Sequence, residues 1–271
     1  MYPTKLQEHN YTLPARQLVR KLRDSINLLR VSYSPFFRRF PCERASLLVD
    51  SRALVSTEHK FIYFRVPKAA NSSIVASLLA EDHEFHRDAV EGLKKSGPRL
   101  SLLTKAEVHT ILSEYRLFVF VRNPFARVYS CYLDKIARPS PQAKEVTKFL
   151  NKKVEETPSF DEFLDYLESD QNMYLDGHWA RQSDLIPVPF ECLDIIGSVE
   201  ELERDFSKLI KVLNYSSGAV RRFAPHATGA DMRLYELTVK QVERIVFLYE
   251  ADFDNFGYSK NLDPSNLVRR K

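Results

Sequence analysis

Two stretches of this chain put cations and hydroxyls where an anion can be gripped. The first reads Val66, Pro67, Lys68, Ala69, Ala70, Asn71, Ser72, Ser73. A lysine followed by small residues and hydroxyls at the opening of a helix offers a flexible ammonium, exposed backbone N–H groups and the positive end of a helix dipole at one point. It is not a G-x-x-x-x-G-K-S/T phosphate loop, because the first glycine of the chain is Gly92; the same absence excludes a dinucleotide fingerprint at this strand. In the second stretch Arg122 leaves a strand end as a planar fork suited to a phosphate. Ser130 follows eight positions on, about two helical turns away. Both can reach one phosphate where the loop turns back, which helix geometry alone does not fix. Arg127 shares a face with Ser130 and is equally suited to pairing with a neighbouring carboxylate.

The elements that must position these residues repeat one pattern. Phe61 to Val66 is an aromatic and β-branched run that stops at Pro67, and a helix carrying Ile74, Leu78 and Leu79 follows. Leu117 to Val121 is a second apolar strand, and Asn123 with Pro124 supplies an N-cap and a first-turn proline. Capping boxes at Ser159/Glu162 and Ser198/Glu201 open helices over 160–167 and 199–213. A last long helix carries Val242, Ile245, Val246, Tyr249 and Phe253 on one face. Strand, loop and helix in alternation predict an α/β fold, a central mostly parallel sheet flanked by helices, with ligands at the carboxyl ends of its strands.

Neither repeats nor a linker divide the 271 residues, so a single domain over 46–271 is expected behind a basic helical extension over 1–45. In that extension Leu18, Leu22, Ile26 and Leu29 recur at helical spacing among Arg16, Arg20, Lys21, Arg23, Arg30, Arg38 and Arg39. The stripe suits packing on the main domain; the alternative is peripheral contact with a membrane or a polyanionic acceptor. A net charge of +4 excludes a dedicated nucleic-acid binder. Three scattered cysteines form no C-x-x-C pair, so neither a zinc site nor a disulfide framework is indicated. With no run of about 18 apolar residues and a polar opening from Met1 to Asn10, the expectation is a cytoplasmic chain, with a Golgi lumen only if an anchor has been removed.

The two loops together resemble the cofactor motifs of the sulfotransferases that use 3′-phosphoadenosine 5′-phosphosulfate (PAPS), and most closely the membrane-type carbohydrate sulfotransferase group. Lys68 with Ser73 is similar to the P-K-x-x-x-S/T loop, and Arg122 through Tyr132 with Lys135 to the R-x-P-F-x-R-x-x-S-x-Y…K stretch. Asp176 to Gln182 resembles an H-W-x-P-Q segment, with Arg181 where proline is usual. Asp194 to Gly197 and Leu248 to Tyr258 resemble the closing elements. Ala70 stands where many members have glycine or cysteine. The resemblance implies a P-loop-like sulfotransferase fold in which Lys68 meets the bridging oxygen and sulfate. Ala69, Ala70, Asn71, Ser72 and Ser73 give backbone and hydroxyl donors to the 5′ group, and Arg122 and Ser130 hold the 3′-phosphate. The implied acceptor is a carbohydrate hydroxyl on a glycan or glycolipid.

Such a transfer is an in-line displacement at sulfur. A mono-anionic sulfuryl group needs less neutralisation than a phosphoryl group, so a lysine and N–H donors suffice without a metal. The acceptor's proton needs a base, and histidine has the pKa for it. His178, in the family-like segment, is the first choice; His86, His226 and the carboxylate of Glu81 follow. Trp179, the only tryptophan, suits either a stacking or a core-anchoring role. The segment from Phe223 to Gly229, after Arg221 and Arg222, suits either closing over a nucleotide or an ordinary surface loop. The competing functions are sulfation of a small-molecule or lipid alcohol, a nucleotide-dependent kinase, and an inactive polyanion-binding module.

Overall fold

The computed structural model describes residues 25–42, 44–80, 86–153, 155–215, 219–221, 223 and 228–262. Four short strands form one sheet in the order β1 (Ala53–Ser56), β2 (Phe61–Phe64), β3 (Arg116–Val121) and β4 (Ile195–Ser198). β1 is antiparallel to β2, whereas β2 with β3 and β3 with β4 are parallel. Successive side chains of a strand face opposite ways, and here both ways are buried. Ile62, Phe64, Val119 and Val121 enter one core; Phe61, Tyr63, Phe118 and Phe120 enter the other. Strands walled on both sides read as unbroken apolar runs.

In chain order the helices are α1 (25–33), α2 (Pro35–Arg39), α3 (Ser46–Arg52), α4 (Asn71–Leu79), α5 (Arg87–Leu93), α6 (Lys105–Glu114), α7 (Pro124–Cys131), α8 (Pro141–Phe149), α9 (Phe160–Glu168), α10 (Asp170–Met173), α11 (Leu202–Val212), α12 (Val239–Leu248) and α13 (Glu250–Phe256). Phe125 and Val128 of α7, Phe163 of α9, Ile245 of α12 and Phe253 of α13 fill the first core. Ile74 and Val75 of α4, Val90 of α5 and Phe206 of α11 fill the second. The sheet is thus covered on both faces, as a mostly parallel sheet requires.

Several boundaries differ from the sequence reading. The strand expected over Phe61 to Val66, β2, ends at Phe64. The helix expected over 199–213 starts at Leu202: Ser198 is the last residue of β4, tied into the ladder opposite Val121, and its hydroxyl accepts the Glu201 N–H without the reciprocal bond of a capping box. The last helix is two, broken at Tyr249. The Ser159/Glu162 box forms as expected, and Asn123 caps α7.

The apolar stripe of the extension does not pack as expected. Ile26 and Leu29 stand 56% and 59% exposed, while Leu18 and Leu22 lie outside the described residues. Ser34 caps α2 with Pro35 in its first turn, which redirects the chain and sends Phe36, Phe37 and Phe40 into the first core beside Val31. Arg30 fastens the segment, reaching the buried carboxylate of Asp50 at 3.1 Å and the Ser101 hydroxyl at 2.9 Å. From residue 25 onward, extension and domain share one core. Among the described residues no helix is long and apolar enough to cross a membrane.

Candidate active site

The loop from β2 to α4 turns sharply: Lys68 (φ 68°) and Ala70 (φ 52°) both adopt left-handed backbone, a conformation costly for residues with a Cβ and concentrated at functional sites. The turn delivers the N-terminus of α4, where Asn71, Ser72 and Ser73 have N–H groups without intrahelical acceptors. Beside it opens a cavity of about 570 Å³ lined by Lys68, Ala70, Asn71, Ser72, Ser73, Arg122, Ser130 and His178 among others. Eight of the nine residues singled out in the sequence therefore meet at one place. Ala69 does not: its side chain is fully buried in the first core, and its N–H bonds Val66 O at 3.3 Å.

Lys68, Arg122 and Ser130 are each held by a second element. Lys68 Nζ lies 3.0 Å from Asp134, whose carboxylate also meets Lys135 at 3.2 Å. Both acidic and basic partners ride on a π-helical turn, Tyr132–Ile136, a distortion frequent at functional sites. Burial lowers the Lys68 pKa, and Asp134 offsets part of that. The peptide of Arg122 is clamped by Gln182, which accepts its N–H at 2.9 Å and donates to its carbonyl at 2.8 Å. The guanidinium donates to Lys68 O at 3.2 Å and pairs with Asp231. Arg122 Nε is buried with no hydrogen-bond partner among the described residues. Ser130 Oγ lies 3.0 Å from Thr228 Oγ1.

His178 is held by a carboxylate. Asp176 accepts from His178 N–H at 2.9 Å and from His178 Nδ1 at 2.6 Å, and pairs with Arg52 at 3.2 Å. These donors, with Gln142, hold the Asp176 carboxyl far below the usual range despite its burial, so it is ionised and accepts only. The Nδ1 atom therefore carries the proton, and in the neutral ring Nε2, with no hydrogen-bond partner among the described residues, is left as an acceptor; the residue lines the cavity. Burial pushes the His178 pKa down, against an upward pull from Asp176. Arg52 passes so close that a Cβ on Gly177 would stand 2.6 Å from its Nε. His86 is elsewhere: its Nδ1 caps α5 at 3.4 Å. Glu81 and His226 lie outside the described residues.

Two ambiguous residues resolve. Trp179 is fully buried, donates to Asn172 O at 2.8 Å and packs edge-on against Phe163 and Tyr166, a core anchor. Arg127, 1% exposed, donates to Pro67 O at 3.1 Å and Gly177 O at 3.0 Å, joining the lysine loop to the histidine turn. Sequence reading missed Arg87, Glu91 and Lys94 of the α5 wall, and Asp231; none belongs to a recognisable motif, though their i, i+4, i+7 spacing on α5 was available.

Residues 51–259 match the model of the sulfotransferase family. The chain belongs to this family. As a sulfotransferase it is an enzyme that draws on a sulfonate donor. It is 25% identical to human carbohydrate sulfotransferase 10, over 95% of this chain and 82% of that protein. It is 28% identical to human carbohydrate sulfotransferase 9, over 77% of this chain and 53% of that protein. The carbohydrate sulfotransferase 10 of Danio rerio is 25% identical, over 78% of this chain and 67% of that protein. No solved structure matches. Among the described residues no group of three or more His, Cys, Asp or Glu side chains is gathered as a metal site.

Proposed function

We propose that this sulfotransferase moves a sulfuryl group from PAPS to a carbohydrate hydroxyl. The observation that carries the reading is the convergence on one cavity of the Lys68 cradle and the Arg122/Ser130 pair, two anion-binding ends suited to a nucleotide with phosphate at 3′ and phosphosulfate at 5′. Lys68 and the first-turn N–H groups of α4 take the 5′ end, and the Arg122 guanidinium with Ser130 takes the 3′-phosphate. The acceptor oxygen forms its bond to sulfur as the bond from sulfur to the 5′-phosphate oxygen breaks. Charge developing on that leaving oxygen falls to the Lys68 ammonium. The acceptor's proton passes to His178 Nε2, the free acceptor that the Asp176 bond creates. A carbohydrate acceptor is supported by the relatives, which are named carbohydrate sulfotransferases.

Incubation with radiolabelled PAPS and a panel of glycans, lipids and small alcohols tests this. Label is expected on a glycan. Label confined to a small alcohol or lipid overturns the acceptor, and no heat on titration with the desulfated nucleotide overturns the donor.

A further inference from the structure

Lys94 is a lysine in an unusual place. It follows α5, which packs on α4, and only 8% of its surface is exposed. Its ion-pair partner Glu91, three residues earlier, has a half-exposed side chain, so the pair alone gives no reason to bury an ammonium, whose desolvation is expensive. What the burial achieves is a contact with Ser72: Lys94 Nζ stands 2.8 Å from Ser72 Oγ. An ammonium only donates, so the serine oxygen accepts and its own proton is directed elsewhere. No other bond of that hydroxyl is present among the described residues. Ser72 and Lys94 both line the cavity, at the end where α4 presents its N–H groups.

We infer that Lys94 is a positioning residue for the donor's 5′ end, fixing the Ser72 hydroxyl as a donor to the 5′-phosphate. The inference rests on the PAPS reading and deepens it. Arg65 adds to the local positive potential. It is 7% exposed, its Nε has no partner among the described residues, and its charge is felt at both Glu91 and Lys94. The acidic Glu91 offsets this charge without taking the Lys94–Ser72 contact away.

Calorimetry with two nucleotides separates this role from a structural one. Lys94→Met should weaken binding of adenosine 3′,5′-bisphosphate about tenfold to a hundredfold, the scale of a hydrogen bond to a charged group, while changing adenosine 3′-monophosphate, which lacks the 5′ anchor, less than about twofold. Ser72→Ala should share the selectivity, the double variant should lose little beyond the worse single one, and Lys94→Arg should restore part of the loss. Equal weakening of both nucleotides, no weakening, or fully additive losses overturns the inference. Failure of the unaltered enzyme to bind the bisphosphate overturns the PAPS reading instead.

Discussion

The carboxylate of Asp231 closes on the guanidinium of Arg122, while three residues earlier Thr228 holds the Ser130 hydroxyl at 3.0 Å. One short segment thus engages both residues proposed for the 3′-phosphate. A carboxylate and a phosphate compete for the same fork. Asp231→Asn should therefore tighten binding of adenosine 3′,5′-bisphosphate, by about twofold to fivefold, as expected of an ion-pair competitor that is half exposed and screened. Calorimetry checks this, and weaker binding by the variant would make Asp231 a partner of the nucleotide rather than a rival.

Lys68 must be protonated to meet the leaving oxygen, so activity falls as pH rises through its pKa. Burial lowers that pKa and Asp134 supports it, so the alkaline limb should come earlier than for an ordinary lysine. In Asp134→Asn the support is gone and the limb should move further toward neutral pH. A kcat/KM profile showing it unmoved, or moved to higher pH, contradicts the pairing's role. Lys68→Ala should lower kcat by on the order of 10²–10³, the cost of losing one stabilising donor, and should also weaken the desulfated nucleotide, whose 5′-phosphate it helps to hold.

His178 must be neutral to accept a proton, so activity falls as pH drops through its pKa. Because burial depresses that pKa, the acid limb should lie below the ordinary histidine value. Asp176→Asn removes an upward pull and should shift the limb lower still. It should also cut kcat by about 10²-fold or more, since the tautomer that frees Nε2 is no longer enforced. An acid limb that rises in Asp176→Asn would remove His178 from the role of base.

Gly197 on β4 tests the sheet. A Cβ there would stand 2.4 Å from the Phe120 ring, which is fully buried on β3. Gly197→Ala should destabilise the protein by on the order of 1–3 kcal/mol through overpacking. Chemical denaturation measures it, and an unchanged midpoint would mean that β3 and β4 yield more easily than their packing implies.

The parts legible in the sequence are those with a local cause. Phe61 to Phe64 and Leu117 to Val121 announce themselves because both faces are buried, and Asn123-Pro124 because a cap is a local device. β1 and β4 escaped notice: neither is an unbroken apolar run on its own, and each owes its state to pairing with the buried strand beside it. The break at Tyr249 is invisible to periodicity because α12 and α13 both feed the first core. In the site, Lys68, Arg122, Ser130 and His178 lie in or beside strand-to-helix loops or recognisable motifs. Lys94 shares a helical face with Arg87 and Glu91, but nothing local says that this face meets the cavity, and Asp231 reaches it only through tertiary packing.

Arg127 bonds Pro67 and Gly177 with one rigid side chain, itself walled in by the core. The backbone turns next to Lys68 and His178, the proposed leaving-group cation and proton acceptor, are consequently bolted to a common chassis. A change at Arg127 would therefore loosen both proposed reacting groups together, although it touches neither of them.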